Sequence, residues 1–549
     1  MYIIIIKKGS IMFKKYFSEH SYYFLAFTII SILYIVNGYA SLAINDDWAL
    51  QGMLTNKEIY GTLIMSYPLS YIMSHLYDFL PSIPWYSILL SSVMAINFYL
   101  ISIYIEKNDS YIQKAILFVL ALLWLTFIWF NITITTITII TMISAIGLIR
   151  KKLILSFIFI FIASLLRIDM MIIFIPYYAV SYFILRDKLT MNKGEIFTLL
   201  ALVILIISSI FIQKQDKFYT DWLTFNKARA SIVDMSMLNA EKGYFSKEER
   251  FAISASWFQD EELLSTKKLV NITPTLSDII HVNIKKIHLV NFIKAYKFKH
   301  WIWLLLAFSL MAIVVNIKSR KAIFIPILIV GVILLLITRD VERVTVALIM
   351  LWTYVVSQSI KKYTILNSLF LLIFTYIFYY YSSGQLTYRY FKENTLLQKE
   401  AHILIKNSNK VCEVSMNFPT QFTNELNTIF KANYLFHEDN WIQLNNKEIV
   451  PTGWLVRHEL FYRSHNISDN YTKRKYANYH AYLVDNKTAF FGSKYLEKSK
   501  AFNILLNAYD KKYLKDKPEC KHKTYMLDTS KHFGISQIAI ECNGTRVVD

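Results

Sequence analysis

Residues 59–80 read IYGTLIMSYPLSYIMSHLYDFL, and whether this stretch crosses a membrane decides how everything around it is arranged. It is long enough to span a bilayer. Yet it carries Ser66, Pro68, Ser70, Ser74, His75 and Asp78, with Leu69, Ile72, Leu76 and Phe79 at helical spacing. A span is apolar all round, whereas this pattern describes an amphipathic helix lying on a membrane surface. The choice matters because the apolar runs on either side form a count, and this stretch sets its parity.

Hydrophobic residues make up 55% of the 549-residue chain and charged residues only 18%. From residue 22 to residue 381, apolar runs about as long as a bilayer is thick recur, more than a globular core absorbs. Spans are read at 21–42, 84–105, 114–130, 132–149, 153–166, 169–185, 196–212, 300–317, 322–338, 344–360 and 363–381, about eleven in all. The first is too long for a signal-peptide core and lacks a small-residue cleavage site, so it reads as a retained helix. Beyond residue 382 the runs stop and Lys, Asn, Asp, Glu and His return. The chain therefore divides into an all-α polytopic membrane bundle, residues 1–385, and a soluble domain, residues 386–549. The soluble part shows a helical pattern over 395–406 and strand-like pieces at 411–416, 480–484 and 535–540, predicting an α/β or α+β fold. Its histidines are dispersed, with no triad, phosphate loop or metal cluster, and it reads as a binding or positioning module.

Basic residues favour the cytoplasmic ends of spans. Lys7, Lys8, Lys14 and Lys15 place the N-terminus inside. Every later loop that should be inside is basic: Lys107 with Lys114, Arg150 to Lys152, Arg186 with Lys188 and Lys193, Lys318 with Arg320 and Lys321, Lys361 with Lys362. This agreement requires that 59–80 not span. Loops 43–83 and 213–299, the turns near Arg167 and at 339–343, and the C-terminal domain then all lie on the outer side. The net charge of +20 is thus a topology signal. No basic stretch is interleaved with stacking aromatics, which argues against nucleic acid.

Ionisable residues elsewhere in the membrane part collect at outer ends: Asp46 and Asp47, Arg167 and Asp169, and Arg339, Asp340, Glu342 and Arg343. Charges set between apolar runs are costly and mark functional sites by default. Each group taken alone reads equally as a solvated loop or a structural ion pair. Together they combine carboxylates able to act as a base with guanidiniums able to hold a phosphate in forked hydrogen bonds. A lipid-linked phosphate suits such a site, its tail in the bilayer and its head group projecting toward the aspartates.

Asn45-Asp46-Asp47-Trp48 after the first span, and Ser66-Tyr67-Pro68-Leu69-Ser70-Tyr71 running into Leu80-Pro81 and Pro84-Trp85-Tyr86, resemble the GT-C superfamily of membrane glycosyltransferases. These enzymes use polyprenyl-phosphate or polyprenyl-diphosphate sugars. The resemblance covers the membrane part and implies a hexosyltransferase-type, inverting enzyme of the inner (plasma) membrane, working on its outer face in cell-envelope polysaccharide biosynthesis. The acceptor would be a glycan, lipid or protein. It makes Asp46 or Asp47 the catalytic base, without ranking them, and Arg167, Arg339 and Arg343 the residues for the donor phosphate. Asp169 and Asp340 stand beside them in support. A divalent metal is compatible with the family, with Asp46, Asp47 and Asp169 as ligands; no other cofactor is implied. In the long outer loop Asn226, Arg229, Asp234 and Trp257 are candidates for sugar contact, Trp257 by stacking, though such residues often serve only to stabilise a loop. A polysaccharide polymerase or a lipid-linked sugar flippase is the alternative reading; a flippase would show two repeated halves and mid-membrane charges. Of the three cysteines, Cys412, Cys520 and Cys542, the last two are the favoured pair if the domain faces an oxidising compartment.

Overall fold

The computed structural model describes residues 21–36, 47–54, most of 62–273, 411–414, 449–451, most of 466–493, 500–530 and 533–547. The expected spans from residue 300 onward, and the helical pattern at 395–406 except for three residues, lie outside that set. The described bundle consists of α1 (Ser21–Val36), α2 (Asp47–Leu54), α3 (Tyr67–Phe79), α4 (Trp85–Glu106), α5 (Tyr111–Phe130), α6 (Ile134–Leu148), α7 (Leu153–Leu166) and α8 (Lys193–Gln213). Two of these, α4 and α8, are long and apolar enough to cross a membrane. At 1.5 Å per residue they measure about 33 and 32 Å, against a hydrocarbon core of about 30 Å. The count of eleven spans reaches beyond the described residues.

Within the stretch 59–80, Tyr67–Phe79 form α3, 13 residues long, or about 20 Å. Pro68 sits in its first turn, where no amide is needed. Its small polar residues point inward: Ser70 and Ser74 are buried with Met73 and Tyr77, while Ile72 and Phe79 are exposed. The side turned out carries Tyr71, Ile72 and Phe79 together with His75, while the small serines face protein.

At the centre stands α6, made largely of Ile and Thr and buried from Ile134 to Ile146. β-branched residues disfavour helix in water. Here the interior supplies no water to the backbone, so only a structure that satisfies its own amides is tolerated. Thr138 and Thr141 hydroxyls donate back to the carbonyls of Ile134 and Ile137. Thr133 and Thr136 form a reciprocal capping box at the start.

A second core gathers α9 (Lys217–Val233), α10 (Lys247–Ser254) and α11 (Thr266–Asn271) with the C-terminal elements α12 (Tyr479–Val484) and α13 (Lys500–Tyr513). Trp222, Phe225, Phe258 and Leu264 pack there with Tyr482, Leu505, Tyr509 and Ile538, and Met53 of α2 joins them. The loop after α8 and the C-terminal domain are therefore one body at one end of the bundle. Its sheet holds β1 (Val411–Val414), β2 (Ile449–Pro451), β3 (Thr488–Ser493), β4 (Cys520–Thr529), β5 (Phe533–Cys542) and β6 (Thr545–Val547). The order is β2-β1-β3-β5-β4, with β6 beside β5; β1 pairs in parallel with β2 and β3, and the rest is antiparallel. Strands were expected at 411–416 and 535–540 and are found there. The strand expected at 480–484 is instead helix α12, because the Asn478 side chain accepts the Ala481 amide and caps it. Cys520 and Cys542 face each other across β4 and β5 and form a disulfide.

Candidate functional site

The first turn of α6 receives two charged side chains from distant parts of the chain. Asp47, fully buried at the start of α2, accepts the Ile134 amide on Oδ1 at 2.6 Å and the Tyr86 hydroxyl on the same oxygen at 2.5 Å. Tyr86, at the start of α4, is fixed in turn by its own amide, which donates to the Tyr77 hydroxyl of α3 at 2.9 Å. One residue further along α6, the Thr135 hydroxyl accepts Nη1 of Arg167, the half-buried residue that ends α7. The carboxylate offsets the positive end of the helix, and Arg167 adds a cation beside it.

Backbone clips hold the surrounding loops together. The Ser66 amide donates to the Leu165 carbonyl at 2.9 Å and the Ile168 amide to the Ile64 carbonyl at 3.3 Å. Gln213, closing α8, donates Nε2 to the Thr62 carbonyl at 2.8 Å. The starts of α2, α3, α4 and α6 thus meet the ends of α7 and α8. At the opposite end Lys114 of α5 and Glu106 of α4 form an ion pair at 3.3 Å.

Of the sequence candidates, Asp47 and Arg167 come together. Asp46, Asp234, Trp257, Arg339, Asp340, Arg343 and the Asp169 side chain lie outside the described residues. Asn226 and Arg229 sit on α9 in the second core, where Arg229 Nε donates to the Asn226 oxygen at 3.1 Å; the bundle-end junction does not include them. Asp47 Oδ1 already accepts two donors, and among the described residues no group of three His, Cys, Asp or Glu side chains is arranged to hold a metal ion. The sequence gives Tyr86 only as part of a motif and gives no sign of Thr135.

The C-terminal domain corrects a second expectation, for two of its histidines meet in space. Nε2 of His480 and Nε2 of His522 stand 2.9 Å apart, and Asp510 Oδ1 lies 2.7 Å from His522 Nδ1. Burial, then the neighbouring His522, hold the His480 imidazole down to about 3. Burial also pushes the Asp260 carboxyl up, although the Tyr513 hydroxyl donates to it at 2.8 Å. An unfolded histidine takes its proton near pH 6.5. His480 therefore contributes stability above that pH, which is lost as pH falls below about 6.5 toward its folded value. Asp260 acts oppositely, restoring stability as pH falls through its own raised value. The melting temperature should fall from about pH 7 to 5, and less steeply in His480→Gln. An unchanged slope in that variant assigns the effect to other groups.

No protein-family model, curated protein or solved structure matches the chain.

Proposed function

We propose that this chain is an integral membrane glycosyltransferase of the GT-C type that moves a sugar from a polyprenyl-phosphate donor to a surface glycan, lipid or protein. The observation that carries the reading is the junction at α6, where a buried carboxylate and a guanidinium from separate helix ends bind consecutive residues of one turn. The membrane setting is supported by α8, where Phe197, Ile204, Ile207 and Phe211 are 60–74% exposed. Leaving such side chains in water forgoes about 1.5–3 kcal/mol each, which lipid returns. The Cys520–Cys542 disulfide suits an oxidising, extracytoplasmic compartment for the body attached at this end.

In this reading Asp47 is a positioning residue, its Oδ1 committed to Tyr86 and Ile134, and its neighbour Asp46 is the base. Asp46 takes the acceptor hydroxyl proton while that oxygen attacks the anomeric carbon. The carbon–oxygen bond to phosphate breaks with inversion, and the leaving phosphate is met by Arg167, whose guanidinium Thr135 orients. Arg339 and Arg343 remain candidates for the same phosphate. No step runs through a metal.

The test compares surface glycans in cells carrying wild type, Asp46→Asn, Asp47→Asn and Arg167→Met at equal protein levels. Loss of the glycan in Asp46→Asn and Arg167→Met is expected, at least about a hundredfold; unchanged glycans in both aspartate variants would sink the reading. A reporter fused after Ser382 should report an extracytoplasmic position, and a cytoplasmic signal undoes the side assignment. Accumulation of complete single repeat units on the carrier lipid in the null strain would favour the polymerase alternative.

A further inference from the structure

The buried polar array in the C-terminal domain has no part in the site above. Its centre is His522, on β4, with its side chain wholly enclosed. The His522 amide and Nδ1 both address one oxygen of Asp510 on α13, at 2.6 and 2.7 Å. A carboxylate beside Nδ1 requires a proton there, so in the neutral ring Nε2 carries the lone pair. The atom facing it at 2.9 Å, Nε2 of His480, must then be the N–H. By the same bookkeeping Nδ1 of His480 bears a lone pair, and it has no hydrogen-bond partner among the described residues. The tautomers follow from this network.

The His480 ring is held in place by stacking. It lies on Tyr513 with centroids 3.8 Å apart and planes within 10°, with Tyr509 at 5.9 Å. Tyr513 is anchored through Asp260 to the loop after α8, and Asn478, two residues before His480, donates to Glu262 of that loop at 2.9 Å. His480 is only half-buried. Filling a core needs neither two imidazoles nor a carboxylate, whose burial is costly unless every group is used. Here the last acceptor in the chain is left to whatever approaches from outside.

We propose that Asp510, His522 and His480 form a hydrogen-bond relay, and that Nδ1 of His480 is the binding atom for a hydroxyl of a neutral, hydroxyl-bearing ligand on the C-terminal domain. The flanking carboxylates of Asp510, Asp260 and Glu262 repel anions, and a lone pair selects a proton donor. The ligand hydroxyl donates to Nδ1 of His480 and keeps its proton. The Nε2–H of His480 donates to Nε2 of His522, whose Nδ1–H donates to Asp510, so the chain of donors fixes the outward lone pair. Retention of a neutral His480 well below the usual histidine range agrees with this arrangement. The inference does not depend on the glycosyltransferase reading, because none of these residues belongs to the bundle-end junction.

The test uses the full-length protein in detergent, with diethyl pyrocarbonate as the probe of an unprotonated imidazole and peptide mass spectrometry to read each histidine. His480 should react at a rate nearly constant between about pH 5 and 8, whereas a free imidazole, added as N-acetylhistidine, loses reactivity below about 6.5. In Asp510→Asn the His480 rate should fall at least about tenfold as the tautomer order is released. Tyr513→Phe keeps the stacked ring and should leave the rate unchanged. A wild-type rate that falls away below pH 6.5, equal rates in Asp510→Asn, or a loss in Tyr513→Phe as large as that in Asp510→Asn overturns the relay. For the ligand, the neutral oligosaccharides maltoheptaose and chitotetraose are compared with inorganic phosphate. Protection of His480 by either sugar and not by phosphate is expected; protection by phosphate, or by none of the three, overturns the ligand class.

Discussion

Asp47→Ala is expected to lower the melting temperature of the purified protein by roughly 10 °C, through the loss of about 3 kcal/mol. One carboxylate oxygen serves two buried donors, the Tyr86 hydroxyl and the Ile134 amide. Alanine leaves both without an acceptor, at about 1–3 kcal/mol each, and uncovers the positive end of α6. Asp47→Asn keeps an oxygen in place and should cost only about 1 kcal/mol. The measurement is a fluorescence melt of both variants in the same detergent. Equal melting of Asp47→Ala and wild type would remove the anchor role and return Asp47 to candidacy as the base. Since Asp46→Asn is expected to lose activity without losing stability, the adjacent aspartates separate in two assays.

Loss of the disulfide should be comparably large and confined to the second core. The bridge closes a loop with a sequence separation of 22. The chain-entropy estimate for such a loop is about 3 kcal/mol. Cys520→Ser, Cys542→Ser and the reduced wild type are all expected to show protease cleavage within the C-terminal domain under conditions where the oxidised wild type resists. His522 is two residues from Cys520 on β4, so the same variants should also disturb the His480 reactivity profile. If the reduced wild type is as resistant as the oxidised protein, the bridge contributes no stability.

The bundle was legible wherever hydrophobicity and charge spoke together. The run at 153–166, bounded by Lys152 and Arg167, corresponds residue for residue to α7. In residues 59–80, Pro68, Ser70 and Ser74, poor company for lipid, argue for a short helix, and α3 has 13 residues. Their inward orientation was not foreseen: an amphipathic pattern gives two faces but not which one meets protein. The short helix α2 was missed because it begins inside the acidic motif, where charge masks the onset of an apolar helix. In the site, Asp47 and Arg167 stood out as ionisable groups among apolar ones. Thr135 is one threonine among several on α6, and only the end of α7 arriving beside it gives it a role. The His480–His522 contact joins residues 42 apart in sequence on different elements, and no local pattern encodes such a meeting.

The shared second core has a consequence for the order in which the protein is made. Trp222, Phe225, Phe258 and Leu264 leave the ribosome roughly 200–320 residues before Ile467, Tyr482, Tyr509 and Ile538, their partners. At about 5–20 residues per second that interval lasts on the order of 10–60 s. For that time an aromatic surface stands uncovered while further chain is still being threaded. Premature termination anywhere in the C-terminal domain would make the exposure permanent, so truncated chains should be prey for quality-control proteases even when their bundle is complete.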